Sequence, residues 1–322
     1  MNHQDQIVWD ELENFKIVDQ TWTSVEKTFA IELWKNNLNH IKDTYHQIDV
    51  TNISRIQDMF IISAMNSCID DQRSTFLFLS QVWDIDLTYV NLSGTNCLLS
   101  ACLSNGNLSF IRYLINDLKM DPFHRDTNQC NGLILGCWNN VNQEVIEFLL
   151  KLFDGKENQV DKWGNNCFLA ACWNNKNPGI VRYLAQSGKV NIMIANKKEN
   201  NCLLSACIGM GENLDVVKYL IEEMRMDPRY KNANGSNCLI CANYQQITEN
   251  RLKIIEYLIN QTEVDLSLEF MKLETYRQIL PRIRDSQKLN AMIGLGIKKY
   301  NREQMNQVLD QWIESSANKL YM

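Results

Sequence analysis

The chain has 322 residues, a net charge of −6 and 45% hydrophobic residues, with 13 Gly and 4 Pro. The acidic balance argues against nucleic acid as the main ligand. No run of 18 apolar residues reads as a membrane span, and the acidic start (Asp5, Asp10, Glu11, Glu13) is not that of a secretory signal.

Residues 1–56 are aromatic-rich (Trp9, Phe15, Trp22, Phe29, Trp34) and follow no repeat. From Ser24 to Gln47, Val25, Phe29, Leu33, Leu38, Ile41 and Tyr45 recur at three to five residues, which predicts one amphipathic helix. The segment reads as a helical N-terminal cap over the first repeat unit; a separate docking module is the alternative.

From residue 57 to residue 266 the chain repeats. Cys102, Cys137, Cys172 and Cys207 are each 35 residues apart. An aromatic-Leu pair recurs at Tyr113-Leu114, Phe148-Leu149, Tyr183-Leu184, Tyr219-Leu220 and Tyr257-Leu258. A fixed step in this range predicts stacked two-helix units, an all-α solenoid of about six repeats. The first unit is degenerate: Ile61-Ile62-Ser63-Ala64-Met65 stands in place of Leu98-Leu99-Ser100-Ala101-Cys102. The later units open on Asn96, Asn131, Asn166, Asn201 and Asn237. Asn is a strong N-cap, because its side-chain oxygen accepts an orphan N–H of the first turn. A short first helix of about eight residues follows, with a small residue at Ala101, Gly136, Ala171, Ala206 or Ala242 that permits close helix approach.

Asn-rich turns then lead to a second helix, with apolar sets such as Phe110-Ile111-Tyr113-Leu114-Ile115 on one face. Arg112, Glu147, Arg182, Lys218 and Glu256 fall between these and should point outward. Eight residues beyond the aromatic come Asp86, Asp121, Asn191, Asp227 and Asp265, some followed by Pro, as expected of turns. The last unit carries extra residues between its helices, Tyr244 to Asn250, where insertions are tolerated. Residues 267–322 read as a helical C-terminal cap: Phe270 to Ile279, Ser286 to Ile297 and Arg302 to Ile313. Lys272, Arg277, Arg282, Arg284, Lys288, Lys298, Lys299 and Arg302 make it basic, either as a solvated face or as a phosphate-binding patch.

No catalytic, cofactor-binding or metal-binding residue stands out. Cys97 and Cys102, like Cys167/Cys172 and Cys202/Cys207, are five apart, about 140° around a helix, and cannot share one ion. Cys238-x-x-Cys241 has no second pair at finger spacing. Most of the eleven cysteines sit at repeat positions and read as small buried hydrophobes in a reducing setting, cytoplasmic or nuclear. His3, His40, His46 and His124 match no nucleophile or metal motif, and there is no phosphate-binding glycine loop.

Gly94 to Cys102 resembles the opening of an ankyrin repeat, Gly-x-Thr-Pro-Leu-His-x-Ala-Ala, with Asn96 for the capping Thr, Cys97 for Pro and Leu99 for His. Asn107 to Leu114 resembles the second ankyrin helix, and Met120-Asp121-Pro122 the turn after it. The chain departs from the family in lacking the Thr-Pro pair and the His in every unit, so their hydrogen bonds must be absent or replaced. The Asn-Cys-Leu-Leu-x-Ala-Cys flavour is similar to ankyrin repeat proteins of giant DNA viruses that infect amoebae.

The resemblance implies a non-enzymatic protein–protein interaction module. It would bind a protein or peptide in a groove lined by first helices and loop tips. Carried over residue by residue, that groove takes Leu103, Trp138, Trp173 and Ile208, then Ser104, Asn139 and Asn174. The loop tips add Lys162, Trp163, Asn165, Lys197 and Lys198. Trp is enriched at interface hot spots, but Trp138 and Trp173 read equally as packing between units. The alternatives are an adaptor recruiting a second component, such as a ubiquitin-ligase subunit, through residues 1–56 or 267–322, and a nucleic-acid binder using the basic C-terminal segment. On the viral resemblance, a host protein is the expected partner.

Overall fold

A computed structural model describes residues 5–319, apart from residues 7, 11–20, 36, 50, 66–73, 84, 85, 87, 105, 245, 247, 263–274, 276, 277, 284, 285 and 301. The described residues are helical with no strand; Arg125 and Asn131 form one isolated bridge. The chain divides into two compact units, Met1–Lys162 and Trp163–Met322, and each is a stack of helical hairpins of the ankyrin-type solenoid class.

In the first unit the hairpins are α1 Ser24–Trp34 with α2 Leu38–Thr44, α3 Ile53–Met65 with α4 Ser74–Val82, α5 Cys97–Ser104 with α6 Leu108–Asn116, and α7 Gly132–Asn139 with α8 Gln143–Leu152. The first helices pack in a row, α1 on α3, α3 on α5 and α5 on α7, and second helices pack beside them. The single helix expected over Ser24 to Gln47 is instead two helices and a 3-10 turn, Tyr45–Gln47. Asn37 interrupts it, its side chain capping α2 at His40, and Val25 is exposed rather than on the buried face. The pair stacks on the first recognisable unit as a further hairpin would. It ends in the same device: Asp49 accepts from Thr51 N at 2.9 Å, as Asp86 does from Thr88 N at 2.8 Å.

In the second unit the hairpins are α9 Cys167–Asn174 with α10 Pro178–Gln186, α11 Cys202–Ile208 with α12 Leu214–Lys218, and α13 Cys238–Ala242 with α14 Glu249–Gln261. α12 runs on as a π-helical turn, Tyr219–Glu223. α15 Ser286–Tyr300 and α16 Arg302–Lys319 pack together and run longer than expected. The helix expected at Phe270 to Ile279 falls largely outside the described residues.

Asparagine caps the helices of these hairpins. Asn96, Asn131, Asn166, Asn201 and Asn237 each accept an N–H of their helix's first turn, at 2.9–3.0 Å. Asn107, Asn142, Asn177 and Asn213 cap the second helices, and Thr248 caps α14. Such a cap stabilises by about 0.5–2 kcal/mol. The amides also reach across hairpins, Asn140 donating to Cys102 O (3.1 Å) and Asn142 to Gly106 O (2.6 Å), and Asn166 closes its own hairpin by donating to Asn191 O (2.9 Å).

The turns after the second helices hold their shape by side-chain oxygens accepting N–H two residues on, at Asp121, Asn191 and Asp227. Hydroxyl and then N–H bonds from Thr51 and Thr88 hold the Asp49 and Asp86 carboxyls below the usual range, and the Arg229 N–H does the same for Asp227. The stabilisation they give is present above the unfolded pKa and is lost as pH falls through the folded one.

The outward charges of the second helices do more than meet solvent. Arg112 lies over Phe148 (5.2 Å), Arg182 over Tyr219 (4.2 Å) and Lys218 over Tyr257 (5.7 Å), each ring one hairpin on. Lys42 over Phe78 (5.7 Å) extends the pattern into α2. A cation on a ring face contributes about 0.5–1 kcal/mol at exposed sites.

Ten cysteines are buried; Cys68 lies outside the described residues. The two of a hairpin face opposite neighbours. Cys207 meets Cys238 of the next hairpin, and a Cβ on Gly132 would come within 3.0 Å of Cys102 Sγ. Burial pushes the Cys102, Cys202 and Cys241 thiols up to about 12. Burial keeps reagent from the sulfurs, so at pH 8 the folded protein should leave these ten unalkylated by iodoacetamide. Peptide mapping should find all eleven modified in strong denaturant; rapid labelling of Cys102 or Cys202 in the native protein would contradict their burial.

Candidate partner-binding surface

The loop tips are the most regular part of each unit. A residue with positive φ turns every tip: Gly94 (77°), Gln129 (63°), Gly164 (87°), Glu199 (58°) and Gly235 (73°). Before four of them lies a side chain that folds the tip around its oxygen. Asn91 accepts from Ser93 N and Thr95 N, Asn196 from Lys198 N and Asn200 N, and Asn232 from Asn234 N and Ser236 N. Asp126 does the same with Cys130 N at 2.7 Å, and burial pushes its carboxyl up despite that bond.

Successive tips are tied main chain to main chain. In the first unit Thr127 N donates to Ser93 O (2.9 Å) and Lys162 N to Asn128 O (2.8 Å). In the second, Lys197 N donates to Trp163 O (2.9 Å) and Ala233 N to Lys198 O (3.2 Å). The approach is close enough that a Cβ on Gly94 would lie 2.8 Å from Thr127 N. Amide ties join the same loops, Asn196 Nδ2 to Asn165 Oδ1 (2.9 Å) and Asn232 Nδ2 to Asn200 Oδ1 (2.7 Å). A surface so tied is ordered before a partner arrives, which lowers the entropy cost of docking.

The residues singled out from sequence fall in different places. In the first unit Leu103 is buried at 5% exposure and presents no side chain to a partner. Ser104 is half-buried with its hydroxyl turned back to Ser100 O (3.4 Å). Trp138 and Asn139, at the end of α7, are half-buried. Lys162 is exposed and its ammonium donates to Asn128 Oδ1.

In the second unit Asn165 is buried and takes part in the amide tie to Asn196. Lys197 and Lys198 are exposed on the tips, and Trp163 is 46% exposed. Asn174 and Ile208 are half-buried. Trp173 is half-buried too, and its backbone and ring lie against Gly209. Its buried indole N–H has no hydrogen-bond partner.

Two residues on this surface escaped the sequence reading. Met210 and Tyr244, just past α11 and α13, are 59% and 46% exposed. Tyr244 stands seven residues after its cap Asn237, at the position of Leu103, Trp138, Trp173 and Ile208, and Met210 lies one position beyond the aligned pair Ile208-Gly209.

Two of the described basic residues of the C-terminal segment are engaged with the protein itself, while Lys299 and Arg302 are exposed. Arg282 pairs with Glu249 (2.9 Å). Lys288 donates to Ile259 O and Thr262 O, at 2.8 and 3.0 Å. Lys272, Arg277 and Arg284 lie outside the described residues. No three His, Cys, Asp or Glu among the described residues are grouped to hold a metal ion. No helix searched is long and apolar enough to cross a membrane.

The sequence profile of the family described as Ankyrin repeats (3 copies) matches residues 167–269, the range of α9 to α14. Repeats of this family are generally protein–protein interaction modules. No curated protein matches the chain. Among solved structures, it is similar to a chain in the structure of a predatory endopeptidase from Bdellovibrio bacteriovorus in complex with an immunity protein. The identity is 22%, over 56% of this chain and 89% of that one, with a TM-score of 0.41.

Proposed function

We propose that the chain is a non-enzymatic interaction module that binds a protein or peptide through its loop tips and first-helix ends. The observation that carries this reading is Trp163, a large aromatic held 46% exposed on a tip whose backbone is fixed by its neighbour. An exposed Trp on a rigid support removes much apolar area from water at small entropic cost when a partner covers it. Met210 and Tyr244 add exposed apolar area on the same unit. Asn174, Ile208, Lys197 and Lys198 complete the proposed contact set on this unit, and Trp138, Asn139 and Lys162 are proposed as contacts on the first unit by itself. We place the activity in the cytoplasm, whose reducing state suits buried thiols, and in that of a host cell on the viral resemblance.

The test is recovery of partners from cells by the full chain and by Trp163→Ala/Tyr244→Ala, with melting curves as a check on folding. Both substitutions fall on exposed side chains, so the fold should survive. Loss of specific partners with an unchanged melt is the expected result. Equal recovery by both proteins would remove the surface from the account.

A further inference from the structure

The partner's chemistry follows from the charge on this edge, and the inference rests on the reading that the loop tips bind a protein. We propose that the tips of the second unit take an acidic peptide segment with an apolar residue among its carboxylates. Trp163, Lys197, Lys198 and Lys231 stand exposed on three successive tips. The bonds from Lys197 N to Trp163 O (2.9 Å) and from Ala233 N to Lys198 O (3.2 Å) hold these tips side by side. Trp163 O and Lys197 N being bonded sets an aromatic body and an ammonium on adjoining tips.

The local charge opposes that of the whole chain. Among the exposed residues of these tips Lys197, Lys198, Lys231 and Glu199 sum to a formal charge of +2 (three minus one), while the chain carries −6. Arg229 and Asp227 nearby neutralise each other at 3.1 Å. Charge complementarity of this kind steers encounter and selects partners by sign. The Trp supplies the desolvated apolar contact that the lysines alone do not. Nucleic acid fits less well, because its affinity needs more phosphates neutralised than three lysines reach, within a field that is negative overall.

The test uses the full chain and fluorescein-labelled peptides: ten glutamates around one Phe, the same with lysines, and glutamates alone, beside a thymidine 12-mer. Anisotropy should rise with the Glu/Phe peptide and not with the Lys/Phe one, and the affinity should fall as salt is raised. Lys197→Glu/Lys198→Glu should weaken it at least about tenfold, with an unchanged melt. Trp163→Ala should weaken the Glu/Phe peptide and leave the all-Glu peptide as it was. Equal binding of the Glu and Lys peptides, no effect of charge reversal, or tighter binding of the oligonucleotide would each overturn the inference. A cellular partner lost with Trp163→Ala but retained by Lys197→Glu/Lys198→Glu would sink the acidic ligand and leave the module standing.

Discussion

Arg251→Ala should destabilise the second unit by about 3–5 kcal/mol, the range for removing one partner of a buried charged group. Arg251 is 1% exposed and sits on the third residue after its helix cap, where the other units carry Phe110, Val145, Ile180 and Val216. Its guanidinium donates to Cys207 O (2.8 Å), Ala242 O (3.4 Å) and Gly209 O (2.9 Å), and pairs with Glu212 at 3.3 Å. These are the open carbonyl ends of α11 and α13, which no later helical turn satisfies. Removing the side chain strands them and leaves Glu212 facing a cavity.

Arg251→Lys should recover only part of the loss, because an ammonium lacks the planar fork that reaches several carbonyls at once. Arg251→Val with Glu212→Gln, which restores the apolar pattern of the other units, should be milder than Arg251→Ala. Urea unfolding followed by far-UV circular dichroism measures this. A shift under about 1 kcal/mol for Arg251→Ala would show that the carbonyls find other donors.

Gly209→Ala acts on the same turn by a different cause. The backbone at Gly209 has φ −62° and ψ 163°, which any residue adopts. The objection is to volume: a Cβ there would lie 1.8 Å from Trp173 O and 2.7 Å from its indole Cδ1. A carbonyl cannot swing aside as a side chain does, so the turn must lift from α9. That breaks the bond from Gly211 N to Trp173 O (3.2 Å) and moves the Gly209 carbonyl away from Arg251. Overpacking of this kind costs about 1–3 kcal/mol, at times more.

Gly235→Ala is the control. Its φ is +73° with nothing within 4 Å of the added carbon, so only the left-handed backbone opposes it, at about 1–2 kcal/mol. Equal small losses at both sites would show that the turn accommodates the methyl. The two substitutions Arg251→Ala and Gly209→Ala share Gly209 O and should not add.

The hairpins were legible because three signals agree: the 35-residue step, the capping Asn and the apolar spacing. First helices of Cys97–Ser104, Gly132–Asn139 and Cys167–Asn174 have the length read from sequence. The pair α1 and α2 was less legible as a repeat, since it lacks the Asn-Cys-Leu-Leu signature. Only Asp49, 37 residues before Asp86 and in the same kind of turn, marked it. Arg251 was illegible because an arginine at an apolar position reads as surface until the carbonyls around it are seen.

The binding surface was the least legible part. A helix turns 100° per residue, so an alignment offset of one moves a side chain from the surface to the interior. Leu103 is buried although Trp138, Trp173, Ile208 and Tyr244 at the same repeat position are half-buried or exposed, Asn165 is buried in the amide tie between tips, and Met210 and Tyr244 were passed over on the outside. Trp163 was found because it lies at the turning point of its tip, beside Gly164, where the side chain is 46% exposed.

The central claim is that each unit's loop tips are tied into one ordered edge before any partner binds. Amide hydrogen exchange of the free protein tests it at the four donors Thr127, Lys162, Lys197 and Ala233, whose acceptors lie on the neighbouring tip. Their exchange should be slowed at least about a hundredfold from the unstructured rate, an opening cost of about 2.7 kcal/mol. Exchange of Lys197 and Ala233 at the unstructured rate, in a protein whose first helices remain protected, would contradict it.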